Sequence, residues 1–201
     1  RRRHTRFRNV TGVQTCALPI LKMLLLSGGL DSTTILYGSD RPDRCLFVDY
    51  GQPHISEMRR AKQLAHGRGV PLIVATIKFS VPPATGLLGG HDETDFAAVI
   101  PGRNSQFVAL AAMLGATTVV VGANADDQSA FVDCRPQMLA AVGAACGVAV
   151  ETPLAALTKR DVLALARTRG VPVEFCLSCY RGKAPGCGKC AACKLREMAA
   201  K

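Results

Sequence analysis

LKMLLLSGGLDSTTIL, residues 21–36, is the stretch that decides the fold of this chain. Leu21–Leu26 is a short apolar run that ends at a pair of glycines, which is typical of a buried strand. The residues after Gly29 open a helix, so the segment predicts a strand, a tight turn and a helix in direct succession. That succession is the first unit of a parallel α/β sheet.

The turn between this strand and this helix has the chemistry of an anion site. Gly28 and Gly29 allow a tight turn and bring bare N–H groups up to a phosphate, and the helix start adds unpaired donors. The hydroxyls of Ser27 and Ser32 can bond phosphate oxygens. Asp31 would repel phosphate directly, so it is predicted to hold Mg²⁺. The alternative is a plain glycine-rich turn without a ligand. The loop is not a Walker loop, because no Gly-Lys-Ser/Thr sequence follows it.

Four further apolar runs of strand length follow, with helical patterns between them. Strands that alternate with helices predict an α/β domain with a doubly wound parallel sheet, which binds ligands at the C-terminal ends of its strands. The five predicted strands are Leu21–Leu26, Arg44–Val48, Pro71–Thr76, Thr117–Gly122 and Val148–Val150. This domain is predicted to span residues 21–172, and a cysteine-rich segment occupies 173–201.

Helices are predicted from periodicity and from their end signals. Apolar residues recur every three positions from Ile55, and a stop is expected at Gly67. Gln106–Leu114 is apolar nearly all round, which predicts a helix buried against the sheet. The pattern 135–145 follows Asp133, which is expected to be its N-cap. A capping-box-like pair, Thr158 and Asp161, starts a helix that ends before residue 170.

The charge of the chain is concentrated at its start. The net charge over 201 residues is +10, and five of these charges lie in residues 1–19, which contain no acid. The remaining +5 suits a phosphate-bearing substrate as well as RNA, and with no added RNA-binding domain visible a nucleic-acid partner is disfavoured. No apolar run approaches the roughly 20 residues of a membrane span, so no membrane partner is expected. The five early charges are Arg1, Arg2, Arg3, Arg6 and Arg8.

Residues 1–20 differ in character from the rest of the chain. They combine the arginine cluster with no helical or strand periodicity. We interpret them as a non-native or disordered start, with a mitochondrial transit peptide as the alternative. Their deletion is expected to leave activity intact.

The C-terminal segment carries a cysteine cluster with metal-ligand spacing. Four thiolates beside glycines suit a closed, structural, tetrahedral zinc site. Five cysteines compete for the four positions, so spacing alone does not exclude Cys176, and an iron–sulfur cluster is the chemical rival. A disulfide between Cys176 and Cys179 is the weaker option. Clustered thiols also favour a reducing cytoplasm. The pattern C-x-x-C-x-x-C, preceded by another cysteine eight positions earlier, is formed by Cys179, Cys187, Cys190 and Cys193.

Several segments together resemble one known family. The loop SGGLDS resembles the signature of the PP-loop ATP pyrophosphatases. The segments FVDYGQPHISE, IPGRN, GANADDQSAFVDCRP, TPLAALTKRDV and LSCYRGKAPGCGKCAACKLR, joined to that loop, are similar to the 7-cyano-7-deazaguanine synthases of queuosine biosynthesis. The similarity runs from about Leu24 to Arg196.

The resemblance implies a function and a set of site residues. The family converts 7-carboxy-7-deazaguanine and ammonia to the nitrile with ATP, holds one zinc per subunit and is commonly homodimeric. Its zinc ligands match the four cysteines above and leave out Cys176. Its ATP-binding stretch matches Leu26, Ser27, Gly28, Gly29, Leu30, Asp31, Ser32, Thr33, Thr34, Ile35 and Leu36.

Four side chains are candidates for direct roles in the reaction. Arg103, at the start of a helix, can clamp a carboxylate or phosphate with two N–H bonds, although a surface arginine is the alternative. Acids at 126, 127 and 133 follow the fourth strand and can bind Mg²⁺ or the substrate, or form a solvated turn. The predicted catalytic set is Asp31, Ser32, Arg103 and Asp133.

The sequence leaves the roles of two further pairs of polar residues open. His54 and Glu57 share a helix start, where they can act on ammonia, bind substrate or cap the helix. Lys159 and Arg160 also lie near a helix start and could reach phosphate, but the pattern favours a solvated face.

The sequence therefore predicts an ATP-dependent ligase of small molecules. ATP would activate the carboxylate, ammonia would give an amide, and a second activation would allow dehydration to the nitrile. The alternative function is a PP-loop tRNA-modifying enzyme that uses its cysteines for thiolation. A third interpretation is a non-catalytic zinc-stabilised binding module, which the intact SGGLDS loop disfavours.

Overall fold

A computed structural model describes residues 20–52, 55–78, 100–176, 186–190, 193, 194 and 197. Five parallel strands form one sheet in the order β3-β2-β1-β4-β5. The strands are β1 (Lys22–Leu25), β2 (Arg44–Asp49), β3 (Leu72–Thr76), β4 (Thr118–Val120) and β5 (Ala149–Glu151). All four strand pairings are parallel, so the predicted five-stranded doubly wound sheet is confirmed.

Six α-helices accompany the sheet in the described part of the chain. Five correspond to predicted helices, and four of these match predicted bounds to within about three residues. The predicted capping box of Thr158 and Asp161 is present at the start of α6. The helix α4 has no counterpart in the sequence prediction. The helices are α1 (Leu30–Leu36), α2 (Ile55–Gly67), α3 (Arg103–Met113), α4 (Ala125–Ala130), α5 (Pro136–Ala145) and α6 (Lys159–Thr168).

The strands bury both of their faces because successive side chains point to opposite sides of a sheet. Leu24 packs with the side chains of α1, α2 and α6. Its neighbour Met23 packs on the other face with those of α3 and α5. The central strand β1 is thus covered on both sides, which explains why its sequence is continuously apolar.

The helix α3 is less buried than its sequence predicted. Only Val108 and Ala111 are fully buried in it, and Met113 is 76% exposed. The predicted packing against the sheet is therefore confirmed for one stripe of the helix, whereas the rest of its surface is half-buried or exposed. The helix packs on α5 and on the sheet through one stripe. Leaving the small alanine side chains of its other face in contact with water costs little free energy.

The order of strands places a crevice between β1 and β4. These two strands are neighbours, and the chain leaves β1 to add strands on one side and later returns to add them on the other. Such a switch point opens a crevice at the C-terminal ends of the strands. The loop 26–29 and the segment 121–127 lie there. None of the helices in the described ranges has the length and apolar character that crossing a bilayer requires.

Candidate functional site

The loop after β1 is held by its own hydroxyls and amides. Ser27 Oγ lies 3.2 Å from Ser32 Oγ and accepts a hydrogen bond from Gly29 N at 3.2 Å. The first helical hydrogen bond of α1 is donated by Thr33 N to Gly29 O, at 3.1 Å. The N–H groups before Thr33 therefore lack helical partners, as the start of a helix requires.

Two close contacts require glycine around this loop. Gly28 has a φ of +78°, and a Cβ there would lie 3.2 Å from the carbonyl oxygen of Glu57. Gly122, which follows β4, would place a Cβ 3.0 Å from the backbone nitrogen of Ser32. The backbones of α2 and of the β4 end thus enclose the loop from two sides. The role of Gly122 was not foreseen, because the approach of two distant segments leaves no local signal.

The resemblance assigned a run of eleven residues to ATP binding, and their side chains divide into two groups. Ser27, Gly29 and Asp31 are at least partly accessible. The buried side chains pack in the core, and the hydroxyls of Thr33 and Thr34 donate to helix carbonyls at 2.7 Å. These buried residues can position the loop but cannot touch a ligand with their side chains. They are Leu26, Leu30, Thr33, Thr34, Ile35 and Leu36. Ser32 is buried as well, at 6% exposure, but its hydroxyl lies beside that of the exposed Ser27.

The side chain of Asp31 makes two contacts that the sequence did not predict. Its Oδ2 accepts a bond from Lys159 Nζ at 2.6 Å, and its Oδ1 accepts from Asn124 Nδ2 at 3.3 Å. The side chains of Asp31 and Lys159 are only 19% and 12% exposed. The expectation that Lys159 lies on a solvated face was wrong, whereas Arg160 is exposed. The first residue of α6 reaches the loop because α6 packs against α1.

The segment after β4 supplies the other charges around this ion pair. Asn124 caps α4 by accepting bonds from the N–H groups of Asp126 and Asp127. Asp126 in turn accepts a bond from Lys159 N at 2.7 Å. Burial lowers the pKa of Lys159, but Asp31, Asp127 and Asp126 outweigh burial and hold that pKa above its usual value. Burial and the charge of Asp31 raise the pKa of Asp127.

A second polar cluster lies at the ends of β2 and the starts of α2 and α3. Arg103 Nη1 lies 3.5 Å from the hydroxyl of Tyr50. Its Nε is buried and has no hydrogen-bond partner among the described residues. Burial raises the pKa of Glu57 to about 7, and the charge of Arg103 limits the rise. An unsatisfied guanidinium nitrogen beside a desolvated carboxyl group is costly in a folded protein, so the cluster suits a ligand.

Asp133 serves a different helix from the one predicted. Its Oδ2 accepts a bond from Asn104 N at 2.9 Å, so it caps the first turn of α3. The helix α5 begins at Pro136 after Arg135, without a side-chain cap. The prediction that Asp133 caps α5 was wrong, because a 3₁₀ turn at Val132–Cys134 carries its carboxylate back to α3. Asp133 remains beside Arg103, whose pKa it helps to raise.

The candidate metal centre is described in part. The sulfurs of Cys187, Cys190 and Cys193 all lie within 4.8 Å of one another. Cys187 Sγ accepts bonds from Lys189 N at 3.4 Å and Cys190 N at 3.3 Å, which suits a thiolate. Cys176 lies outside this group, and its thiol donates to Pro172 O at 3.6 Å. Cys179 and His54, both predicted to have roles, lie outside the described residues.

Comparisons with known sequences agree on one family. A family model described as "Queuosine biosynthesis protein QueC" matches residues 22–201. A 7-cyano-7-deazaguanine synthase from Anaeromyxobacter sp. (strain Fw109-5) is 38% identical over 214 residues, covering 87% of this chain and 89% of that protein. One from Thermoplasma acidophilum is 32% identical over 201 residues, covering 87% and 84%.

Solved structures show the same fold in more distant proteins. A "predicted subunit of tRNA methyltransferase" from Methanocaldococcus jannaschii is 16% identical with a TM-score of 0.51, and the match covers 74% of each chain. NMN synthetase from Francisella tularensis is also 16% identical with a TM-score of 0.50, covering 77% of this chain and 63% of that one. At this identity the similarity concerns the fold alone.

Proposed function

The chain belongs to the queuosine biosynthesis protein QueC family, and we propose that it is an ATP-dependent ligase that converts 7-carboxy-7-deazaguanine and ammonia to 7-cyano-7-deazaguanine. The observation that carries this proposal is the buried pair of Asp31 and Lys159, set against the glycine loop at the switch point of the sheet. A buried cation and carboxylate at the place where such sheets bind ligands suit a polyphosphate substrate.

The loop and Lys159 would bind and orient ATP. The unpaired N–H groups at the loop and the hydroxyls of Ser27 and Ser32 would contact phosphate oxygens. Lys159 would exchange part of its contact with Asp31 for a contact with the negative charge that develops as pyrophosphate leaves. Catalysis would thus depend on placing the acceptor's carboxylate against the α-phosphate in a site that holds charge in fixed positions.

Asp31 and Asp127 offer a fitting donor set for Mg²⁺. Both are carboxylates, the hard oxygen ligands that this ion prefers. They lie close enough for the charge of Asp31 to raise the pKa of Asp127. A cation bound between them would relieve this repulsion. When bound there, Mg²⁺ would offset negative charge on the polyphosphate.

Arg103 would bind the carboxylate of the acceptor. Its Nε is the buried donor without a partner among the described residues, and its Nη1 contacts Tyr50 only at 3.5 Å. A carboxylate would satisfy both nitrogens in a bidentate contact. Ser32 and Asp133 complete the proposed set, the first at the phosphates and the second by orienting the start of α3.

Product formation tests this function directly. The full chain should release AMP only when ATP, the deazaguanine acid and ammonium are all present, and mass spectrometry should detect the nitrile. A thermal-shift screen should show stabilisation by ATP and by the acid, because each binds the folded state. Absence of nitrile together with thiolated tRNA in a parallel assay would replace this function by the alternative.

The alternative, tRNA thiolation, has less support from the described cysteines. Burial raises the pKa of both Cys45 and Cys134 to about 12, so these thiols stay protonated at neutral pH. A sulfur nucleophile must be a thiolate. The clustered cysteines at 187, 190 and 193 are better explained as metal ligands.

We expect about one tightly bound zinc per chain, held by Cys187, Cys190, Cys193 and, as the resemblance implies, Cys179. Four protein ligands leave no open position, so the ion would stabilise the C-terminal segment without entering the chemistry. Elemental analysis of the wild-type protein and of Cys190→Ser checks this, with Cys146→Ser as the matched control. Iron with labile sulfide, or loss of zinc in Cys176→Ser, would contradict it.

Cellular location and assembly follow as parts of the same proposal. Cys45, Cys134 and Cys146 are free thiols in the described part of the chain, as is usual in the reducing cytoplasm. The family resemblance favours a homodimer, which light scattering of the purified chain would test.

A further inference from the structure

Glu57 has a carboxyl group that the fold does not use. It lies in the first turn of α2, and its side chain is only partly exposed. Among the residues that the structure describes, its carboxyl group has no hydrogen-bond or ion-pair partner. A carboxyl group withdrawn from water without a partner is costly, so its retention at this position points to a role with a ligand.

The position of Glu57 connects the two polar clusters. Its backbone packs on the loop, where a Cβ at Gly28 would lie 3.2 Å from its carbonyl oxygen. Its side chain interacts electrostatically with Arg103 and with Tyr50. If ATP lies on the loop and the acid on Arg103, as in the proposed function, Glu57 borders both substrates.

We propose that Glu57 is the general base that removes a proton from ammonium, so that neutral ammonia attacks the activated carboxyl carbon. This inference rests on the proposed function. Arg103 assists, because a fixed positive charge disfavours ammonium and favours neutral ammonia at the same place. Among the described side chains of Glu57, Arg103 and Tyr50, only the carboxylate of Glu57 can accept the proton.

The proton transfers balance over both halves of the reaction. An N–H bond of ammonium breaks, the proton goes to a Glu57 oxygen, and the nitrogen lone pair forms the C–N bond. Glu57 then passes this proton to water through its partly exposed side chain. The C–O bond to AMP breaks, AMP leaves with the electron pair, and the adduct gives its extra proton to Glu57 to form the amide. ATP next adenylates the amide oxygen, pyrophosphate leaves, and one N–H proton goes to Glu57. The last N–H proton follows the same route to water as the second AMP departs and the nitrile forms. One base beside this nitrogen therefore serves both halves.

The surroundings of Glu57 support a base that works near neutral pH. Burial raises its pKa to about 7, and among described groups Arg103 of α3 lowers it. Tyr50, after β2, also interacts electrostatically with it, whereas Arg60 on its own helix bonds to Phe175 O and Asp31 of the loop is paired with Lys159. A general base is most effective when its pKa lies near the working pH.

The test compares Glu57→Gln with wild type and with the exposed control Glu174→Gln. Three rates are measured on the full chain: acid-dependent exchange of pyrophosphate into ATP, ammonium-dependent nitrile formation from pH 6 to 9, and hydroxamate formation with hydroxylamine. Hydroxylamine is a weaker base than ammonia and is mostly neutral at pH 7, so it does not need the carboxylate. Because ionisation of a buried carboxyl group disfavours the folded state, the glutamine variant should fold.

We expect the variant to keep pyrophosphate exchange and hydroxamate formation and to lose ammonium-dependent turnover by roughly a hundredfold or more. The wild-type rate should fall only below about pH 7. The variant depends on free ammonia alone, so its rate should fall steadily with falling pH across the whole range. Loss of pyrophosphate exchange in the variant, or an unchanged ammonium rate and pH profile, would overturn the assignment. Absence of acid-dependent exchange in the wild type would instead show that the proposed function itself has failed.

Discussion

Replacing Asp31 by asparagine is expected to reduce turnover by roughly a hundredfold or more, which corresponds to about 2.7 kcal/mol at the barrier. Asparagine keeps the size of the side chain and its contact with Asn124, but it removes the charge that holds Lys159 and would hold Mg²⁺. A carboxylate at about 4 Å from a phosphate repels it by roughly 4 kcal/mol at an effective dielectric of 20 unless a cation lies between them. The loss should appear in AMP release as well as in nitrile formation.

The structure changes what this variant should do to stability. The sequence alone gave no reason to expect a loss, but Asp31 is the closest partner of a buried lysine. Removing one member of a buried pair costs up to about 3–5 kcal/mol, and Asp126 and Asp127 would limit that cost here. Urea unfolding should show a reduced midpoint. The control is Asp40→Asn, which breaks an exposed pair with Lys22 and should cost under about 1 kcal/mol. Near-normal turnover of Asp31→Asn would contradict the proposed mechanism.

Replacing Lys159 by methionine is expected to have an effect on turnover of similar size, roughly a hundredfold to a thousandfold. Methionine keeps most of the length of the side chain and removes the cation that three acids surround. ATP binding should weaken, because Asp31 would then face the phosphates uncompensated. The measurement is the rate of acid-dependent AMP release at saturating ATP. Arg160→Met removes the same charge from the next, exposed position and should leave that rate unchanged.

The double variant Asp31→Asn with Lys159→Met separates catalysis from folding. Removing both members of a buried pair is often neutral, because neither member is left without the other. Asp126 and Asp127 still lose the charge of Lys159. The double variant should therefore regain part of the stability lost by the single variants and none of the activity. Recovery of turnover along with stability would show that the pair acts only in folding.

The sequence was sufficient for the sheet and for the location of its ligand edge. Short apolar runs that end at glycines and alternate with helices leave few topologies, so β1 to β5 could be assigned to within two residues. The spacing of Cys187, Cys190 and Cys193 likewise indicated a shared site, because ligands three residues apart meet through local turns. These features depend on neighbours along the chain, which a sequence displays directly.

The partners of the charged residues could not be predicted in this way. Lys159 lies 128 positions from Asp31, and Asp133 caps α3 through Asn104, which lies 29 positions before it. Near a helix start, an isolated lysine or aspartate has the same local pattern whether it faces water or a buried partner. The partner of Lys159 is determined by the packing of α6 on α1, and that of Asp133 by the turn at Val132–Cys134.

The sequence by itself thus determined the fold, the phosphate loop and the family of this protein, because periodicity, glycine turns and motif spacing act over short distances. Only the tertiary structure decided which polar groups come together: Lys159 bonds to Asp31, the backbone N–H of Asn104 bonds to Asp133, and Arg103 acts electrostatically on Glu57. The physical reason is that electrostatic pairing depends on distance and burial in three dimensions, and both are set by how distant elements pack.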